Sequence, residues 1–361
     1  MHGSLTPLTL SSLQARLQSL GARPQHMARI QRLWAQALPQ DSGRRQLDCF
    51  MPAAVRQALP ALAHELAQLT RLVSEHPGQD GSSRLLVALQ DGQTIESVLL
   101  PRGGLCVSSQ VGCAVGCVFC MTGKTGLIRQ LTDVEIVAQV ALARQFRPVN
   151  KVVFMGMGEP AHNLDAVMQA IELLGIQGNI GHKQLVFSTV GDERVFARLG
   201  TGRVKPALAL SLHSTRAELR AQLLPKAPRI SPEDLVDMGE AYARATGYPI
   251  QYQWTLMDGI NDSEEEIEGI VRLLKGKYAL MNMIPYNAVD GLPYQRPSWE
   301  RAAQIARTLH QRGILTKLRQ SAGQDVQGGC GQLRARALQG TAVNVAPLIY
   351  QPQPAKKVTH A

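Results

Sequence analysis

The 361-residue sequence contains no apolar run that approaches the roughly 20 residues needed to cross a lipid bilayer. Its first ten residues lack the basic start and the long apolar core of a secretory signal. Both absences argue against a membrane or exported protein, so we expect a cytoplasmic one. Because the cytosol keeps thiols reduced, the six cysteines are not expected to form structural disulfides. Metal binding or catalysis is then the first explanation for cysteines that cluster.

Acidic residues are scarce relative to basic ones, 28 against 38, which gives a net charge of +10. A basic balance favours polyanionic partners but does not bear on the fold. Residues 181–230 hold nine Lys or Arg against three acids, and residues 301–340 hold seven against one. These two basic stretches fit an electrostatic footprint for RNA. They fit a solvated basic surface equally well, and charge alone favours neither.

Hydrophobic residues make up 45% of the chain and charged residues 18%, which is ordinary for a globular protein with a sizeable core. The N-terminal part shows leucines at helical spacing across residues 10–20 and 59–69, which predicts short amphipathic helices. Two strand-like runs follow, Ser83–Gln90 and Thr94–Leu100. An Asp-Gly pair joins them and predicts a β-hairpin.

Beyond residue 102, strand-like runs alternate with helical ones. Thr132 and Glu135 form a capping box that predicts a helix start, and Ser231 and Ser298 predict two more. Gly247 predicts a helix end. Six strands alternating with helices predict an α/β fold with a parallel sheet curled into a partial (β/α)6 barrel. The predicted strands are Leu105–Ser109, Lys151–Met155, Gln184–Ser188, Ala207–Leu212, Gln251–Leu256 and Ala279–Pro285.

These patterns divide the chain into four parts. We expect an N-terminal helical accessory domain over residues 1–75 and a β-hairpin extension over 76–101. The partial barrel, with a C-terminal loop, would occupy 102–345. A Pro- and Lys-rich flexible tail would follow over 346–361.

Cys113, Cys117 and Cys120 form a C-x3-C-x2-C motif in the loop after the first barrel strand. Thiolates are the usual ligands of iron–sulfur clusters, and a [4Fe–4S] cluster normally takes four of them. Three ligands leave one iron open to a chelating small molecule. The alternative is a structural zinc site with Cys106 as the fourth thiolate. Cys106, however, lies in the strand, seven residues before the motif.

The spacing and position of this motif resemble the radical S-adenosylmethionine (SAM) superfamily, in which the open iron binds the amino and carboxylate groups of SAM. Polar and glycine residues at later strand ends would then contact the same ligand, because strand ends of a barrel meet at one edge. Taken singly, each could be an ordinary strand-end residue. The residues predicted to bind SAM are Gly158, Glu159, Ser188, Ser211, Leu212, His213 and Asn287.

Five runs narrow the resemblance: LCVSSQVGCAVGCVFCMTGK, VVFMGMGEP, LALSLHS, NMIPYN and CGQL. In this order they closely resemble the RlmN/Cfr family of RNA adenine methyltransferases, across residues 83–340. The resemblance implies radical transfer of a methyl group from SAM to an sp2 carbon of an adenosine in rRNA or tRNA. It implies two SAM molecules per turnover, with carbon 2 expected over carbon 8. It also implies an electron donor such as flavodoxin or ferredoxin, and we expect a monomer without membrane contact.

The resemblance also assigns roles to three residues outside the motif. Cys330, in a Gly-Gly-Cys-Gly run, would carry the methyl group as S-methylcysteine. Cys106 would resolve the product link and form a transient disulfide with Cys330, of the kind a reducing compartment permits. Glu96 would accept the ring proton. Cys49 has no counterpart in the family and is interpreted as structural.

Two departures bear on substrate choice. Residues 188–194 read STVGDER, where the family has a small or apolar continuation after the glycine, and the N-terminal helices resemble the family only loosely. Two other functions therefore stay open. One is a radical SAM enzyme that acts on a protein or a small molecule; the other is a non-enzymatic iron–sulfur or zinc RNA-binding protein.

Overall fold

A computed structural model of the protein describes residues 7–43, 47–124, 126–289 and 291–335. The predicted tail over 346–361 and the last ten residues of the predicted barrel domain lie outside the described residues. Within the described ranges, no helix is long and apolar enough to cross a membrane.

The N-terminal part forms helices, as the leucine spacing predicts. Thr9 caps the first helix, and the backbone N–H of Leu10 donates to the buried carboxylate of Asp133, 2.9 Å away. This bond ties the N-terminal helices to the helix that follows the cysteine motif. The four helices are α1 (Leu10–Ser19), α2 (Pro24–Ala35), α3 (Leu47–Phe50) and α4 (Ala53–Gln68).

Three antiparallel strands follow: β1 (Thr70–Pro77), β2 (Ser83–Leu89) and β3 (Thr94–Leu100). The predicted hairpin of β2 and β3 is confirmed. β1 was not predicted, because its pairing register shifts between Leu72 and Ser74 and this irregularity breaks the alternation of buried and exposed side chains.

The sheet continues from β3 through strand β4 into a parallel series, so the hairpin and the barrel strands share one ten-stranded open sheet. The six predicted barrel strands are confirmed, with ends that differ by at most three residues, and a seventh, β12, is added. Strands β5 and β6 form a separate antiparallel pair around the cysteine loop. The strands are β4 (Gly104–Cys106), β5 (Gln110–Gly112), β6 (Leu127–Gln130), β7 (Lys151–Phe154), β8 (Leu185–Thr189), β9 (Ala207–Ser211), β10 (Ile250–Leu256), β11 (Ala279–Pro285) and β12 (Thr316–Leu318).

The helices between these strands begin where capping chemistry predicts. Thr132 and Glu135 form the reciprocal capping box, and Ser231 and Ser298 each accept a backbone N–H at a helix start. Gly247 ends a helix with φ of 72°, a left-handed conformation that favours glycine. The helices are α5 (Asp133–Ala143), α6 (Leu164–Ile176), α7 (Glu193–Thr201), α8 (Ala217–Leu223), α9 (Pro232–Thr246), α10 (Glu264–Leu274) and α11 (Trp299–Gln311).

The sheet curls from β3 to β12, as shown by residues from these two strand positions that face one cavity. Val98 on β3 and Arg319 just after β12 line the same space. The α/β class and the partial, unclosed barrel are thereby confirmed, and the cavity is where the strand-end residues meet.

Candidate active site

One cavity of about 210 Å³ lies at the carboxyl ends of the parallel strands. Cysteine thiols, a carboxylate and hydroxyls from separate parts of the chain face it, which is the arrangement expected at this edge of a barrel. The predicted site residues that line it are Cys106, Cys113, Cys117, Cys120, Gly158, Glu159, Ser188, Ser211, His213 and Cys330.

The cysteine motif occupies the loop between β5 and β6, where Cys120 N–H donates to the Cys117 carbonyl over 3.0 Å. Burial raises the pKa of all three thiols, that of Cys113 to about 12, and each thiol also lies close enough to another for their charges to interact. Three neighbouring thiols, with Cys113 buried and Cys117 and Cys120 half-buried, form a donor set for a soft metal centre, because a coordinated metal deprotonates such thiols. Cys106 lines the same cavity as the three cysteines of the motif but lies on strand β4 and not in their loop.

Glu159 follows β7 and is buried. Its carboxylate accepts the backbone N–H groups of Ala161 and Val190, both over 3.0 Å, while its own N–H donates to the side chain of Gln110 over 2.8 Å. Burial, the largest effect, raises the pKa of Glu159 to about 7. A cation entering the cavity would stabilise the ionised form, so this carboxylate is suited to hold an ammonium group.

Gly158 lies directly before Glu159, with φ of +106°. A Cβ at this position would come within 2.6 Å of the Gln110 side chain, which itself orients Glu159. We expect Gly158→Ala to lower the free energy of unfolding by about 1–3 kcal/mol and to weaken SAM binding. Urea unfolding and equilibrium dialysis with labelled SAM measure the two effects.

Gly276→Ala is the matched control for that variant. Gly276 also has a positive φ, +79°, but nothing lies within 4 Å of the added Cβ. It should lose stability through backbone strain alone and bind SAM normally. Equal loss of SAM binding in both variants would contradict the proposed role of the Gly158 turn.

His213 follows β9 with φ of 59°, and its Nδ1 accepts the backbone N–H of Thr255 over 3.0 Å. Burial, followed by the nearby charge of Arg220, lowers the pKa of His213 to about 3, so the imidazole is neutral at physiological pH. Its ring contacts Phe119 edge to face, with centroids 4.9 Å apart. His213 therefore joins the cysteine loop to the end of β9, beside Ser211. Leu212, between them, is fully buried in the hydrophobic core and does not line the cavity.

Cys330 is exposed within the cavity, on the segment that follows β12. Asn287 does not line the cavity but donates from Nδ2 to the Cys330 carbonyl over 2.9 Å. On the other side, Met121 N–H donates to the Gly331 carbonyl over 2.8 Å, and Thr122 Oγ1 donates to the Leu333 carbonyl over 2.7 Å. The segment is thus held directly against the cysteine loop.

Cys106, on β4, is buried in the same cavity wall as Cys330, and all six cysteines are free. Burial, and then the nearby Cys330, raise the pKa of the Cys106 thiol to about 12, while Arg319 acts in the opposite direction. Glu96 lies outside the cavity lining. It is fully buried, pairs with Arg84, and accepts the backbone N–H of Arg334 over 2.9 Å. Its carboxylate therefore holds the chain just beyond Cys330.

The sequence comparisons agree with this site. The model of the radical SAM superfamily matches residues 107–274. A Leptothrix cholodnii protein named "Probable RNA methyltransferase" is 68% identical over 347 residues, which cover 96% of this chain and 100% of the relative. A Stutzerimonas stutzeri protein of the same name is 68% identical over 332 residues, or 91% of this chain and 97% of the relative. The chain belongs to the radical SAM RNA methyltransferase family.

A solved structure extends the likeness to the fold. The crystal structure of a radical SAM methyltransferase from Sphaerobacter thermophilus is 35% identical, with a TM-score of 0.78, and the match covers 91% of this chain and 98% of the other. Membership of the radical SAM family implies a [4Fe–4S] cluster and SAM. The cavity of this family member fits both, with three thiols on one loop and a buried carboxylate that has no cationic partner among the described residues.

The basic residues of this radical SAM protein are only partly free at the surface. Within residues 181–230, Arg194, Arg203 and Arg216 form ion pairs with acidic neighbours, and Arg220 is buried. The count of basic residues along the sequence therefore overstates the positive charge available to a polyanion.

Proposed function

We propose that the protein methylates an sp2 carbon of an adenosine in RNA, with Cys330 as the carrier of the methyl group. The single observation that supports this most is the meeting of Cys330, Cys106 and the three-cysteine loop around one cavity. RNA as the substrate class rests on the names of the relatives. The family resemblance supports carbon 2 over carbon 8 as the methylated atom. It also supports rRNA or tRNA as the target.

A [4Fe–4S] cluster bound by Cys113, Cys117 and Cys120 would supply the electron that cleaves SAM reductively. The work of the chain is to bind and orient SAM beside it. Glu159, buried and with a raised pKa, would hold the amino group, and the Gly158 turn would let backbone approach the ligand closely. Further contacts are proposed for Ser188, Ser211, Leu212, His213 and Asn287.

Carbon 2 of adenine is electron-poor and does not displace a methyl group from a sulfonium ion by ordinary nucleophilic attack. A thiolate does so readily. Cys330 would take the methyl group from one SAM and present it beside the cavity in which a second SAM binds. The deoxyadenosyl radical from that second SAM would take a hydrogen atom from the methyl group, and the remaining carbon would bond to carbon 2, so that a methylene group joins Cys330 to the base. After loss of the ring proton, the Cys106 thiolate would attack the sulfur of Cys330 and displace the methylene carbon, which would become the new methyl group by taking up a proton. The products would be the methylated base, one electron that returns to the oxidised cluster, and a Cys106–Cys330 disulfide for cellular thiols to reduce. Glu96 is proposed as the acceptor of the ring proton.

Glu96 cannot take that role while it stays covered, since the backbone of Arg334 occupies its carboxylate. Movement of the segment after Cys330 would uncover Glu96 and free Cys330 in one step. The same movement would open the cavity to a base, which must leave its stack to reach it. We infer a cytoplasmic monomer supplied by a flavodoxin- or ferredoxin-type electron donor.

Mass spectrometry of rRNA and tRNA nucleosides from cells with and without the gene tests this function directly. We expect one methyladenosine to disappear with the gene and to return with the wild-type chain. Cys117→Ala should restore nothing, because a cluster ligand is lost, and the purified variant should form no deoxyadenosine from SAM. Cys49→Ala, which removes an exposed thiol of the N-terminal helices, is the control and should restore the nucleoside fully. Unchanged RNA, together with deoxyadenosine formation by the wild-type chain, would reject RNA as the substrate.

A further inference from the structure

Arg220 is a charged residue buried beside the candidate site, on helix α8, and only 4% of its surface is exposed. Its Nη2 donates to the carbonyls of Val190 and Ser211, the latter over 3.2 Å. These carbonyls lie at the ends of β8 and β9, the strands that carry Ser188 and Ser211. The guanidinium therefore sits directly behind the cavity wall.

No carboxylate of the described chain pairs with this cation. Its two hydrogen bonds go to neutral carbonyls, and Nε has no hydrogen-bond partner within the described ranges. Another buried arginine, Arg84, pairs with Glu96. A buried charge is costly unless an opposite charge compensates it. The position of Arg220 therefore requires an anion that the protein's acidic side chains do not supply.

Helix α8 places Arg220 next to the cysteine loop. Val118 N–H donates to the Leu223 carbonyl over 3.1 Å, and Lys226 N–H donates to the Val115 carbonyl over 3.2 Å, so both sides of the loop are fastened to the end of this helix. Apolar contacts between the helix and the loop add to these bonds. Burial, the largest effect, lowers the pKa of Arg220 to about 10, while the charge of an ionised Cys117 thiol acts in the opposite direction.

We propose that Arg220 is the counter-charge of the iron–sulfur cluster: its buried cation offsets the negative charge of the cluster held by Cys117 and its two neighbours, and so raises the reduction potential. Net charge and hydrogen bonds near the sulfurs are what set cluster potentials. A fixed cation favours the reduced state, which carries one more negative charge. This inference rests on the cluster of the proposed function and not on its RNA substrate.

The test compares Arg220→Gln, which removes the charge, with Arg220→Lys, which keeps it. Both variants are reconstituted anaerobically, and the cluster is titrated without SAM while electron paramagnetic resonance follows the reduced state. For Arg220→Gln we expect the ratio of reduced to oxidised cluster at the wild-type midpoint to fall about tenfold, a shift of 59 mV to lower potential for one electron. Arg220→Lys should stay near the wild-type midpoint.

Arg229→Gln is the matched control, because it removes one positive charge from an exposed site six residues beyond α8. Its potential should not change. An Arg220→Gln cluster with the wild-type potential overturns the proposal. If the Gln variant binds no iron, the Lys variant decides: normal iron content and potential support the proposal, and failure to bind iron overturns it. A shifted potential in a protein that leaves RNA unmodified would reject the proposed substrate and keep this inference.

Discussion

Cys330→Ala removes RNA methylation, by at least roughly 10³-fold, the scale on which loss of a covalent nucleophile acts. The substitution deletes one sulfur and leaves the backbone in place, so two hydrogen bonds that hold the segment persist. Asn287 donates one to the carbonyl of residue 330, and Met121 N–H donates the other to the carbonyl of Gly331. Single-turnover assays with labelled SAM and RNA measure the loss. Peptide mass spectrometry of the wild-type chain should find the methyl group on Cys330.

The same Cys330→Ala protein should still bind iron and form deoxyadenosine from SAM, because the three-cysteine loop and Glu159 are untouched. This second readout separates a missing methyl carrier from a damaged fold. Cys49→Ala, which removes a different exposed thiol, should methylate RNA at the wild-type rate. Normal RNA methylation by Cys330→Ala would exclude the methyl-cysteine mechanism.

Local chemistry explains which elements could be predicted from sequence. Thr132 with Glu135 forms the capping box where the spacing predicts it, and Ser231 and Gly247 bound a helix, because capping depends on residues three or four positions apart. The hairpin of β2 and β3 could be predicted for the same reason, because its turn signal lies directly between the two strands. β1 and β12 escaped prediction: a bulge disturbs the first, and the second has three residues, too few for a periodic pattern.

The site likewise contains residues that the sequence predicts and residues that only the packing reveals. The cysteine motif and the glycine turn are each a short run that comes after a predicted parallel strand, so their meeting in one cavity could be anticipated. The Arg84–Glu96 ion pair could not be anticipated, because it depends on the pairing register of β2 and β3. In that register Glu96 lies opposite Leu86, and Arg84 reaches it diagonally. Arg220 was one of nine basic residues in a stretch interpreted as an RNA footprint or a solvated surface. Only the packing of α8 against the cysteine loop shows it to be a buried charge.

Cys106→Ala should arrest the reaction after carbon transfer, with the RNA still joined to Cys330. Outside the three-cysteine loop, the cavity wall carries two free thiols, Cys106 and Cys330. Without Cys106, no thiol outside that loop remains in the wall to break the thioether link. We expect a protein–RNA band on denaturing gels that reducing agents do not remove. After nuclease digestion, mass spectrometry should find an adenosine joined through one carbon to the Cys330 peptide.

Wild-type release should also depend on pH, and the direction follows from burial. Burial is the largest effect and raises the pKa of the Cys106 thiol, and it persists when Cys330 is a neutral thioether, so the reactive thiolate is scarce at neutral pH and its fraction grows as the pH rises. The rate of product release, measured in single turnovers, should therefore increase with pH. The rates of the steps before release should not. The double variant Cys106→Ala/Cys330→Ala must form no adduct, since the attachment atom is gone. Free methylated RNA at the wild-type yield from Cys106→Ala alone would remove the resolving role, because a thioether to Cys330 cannot hydrolyse unaided on the timescale of turnover.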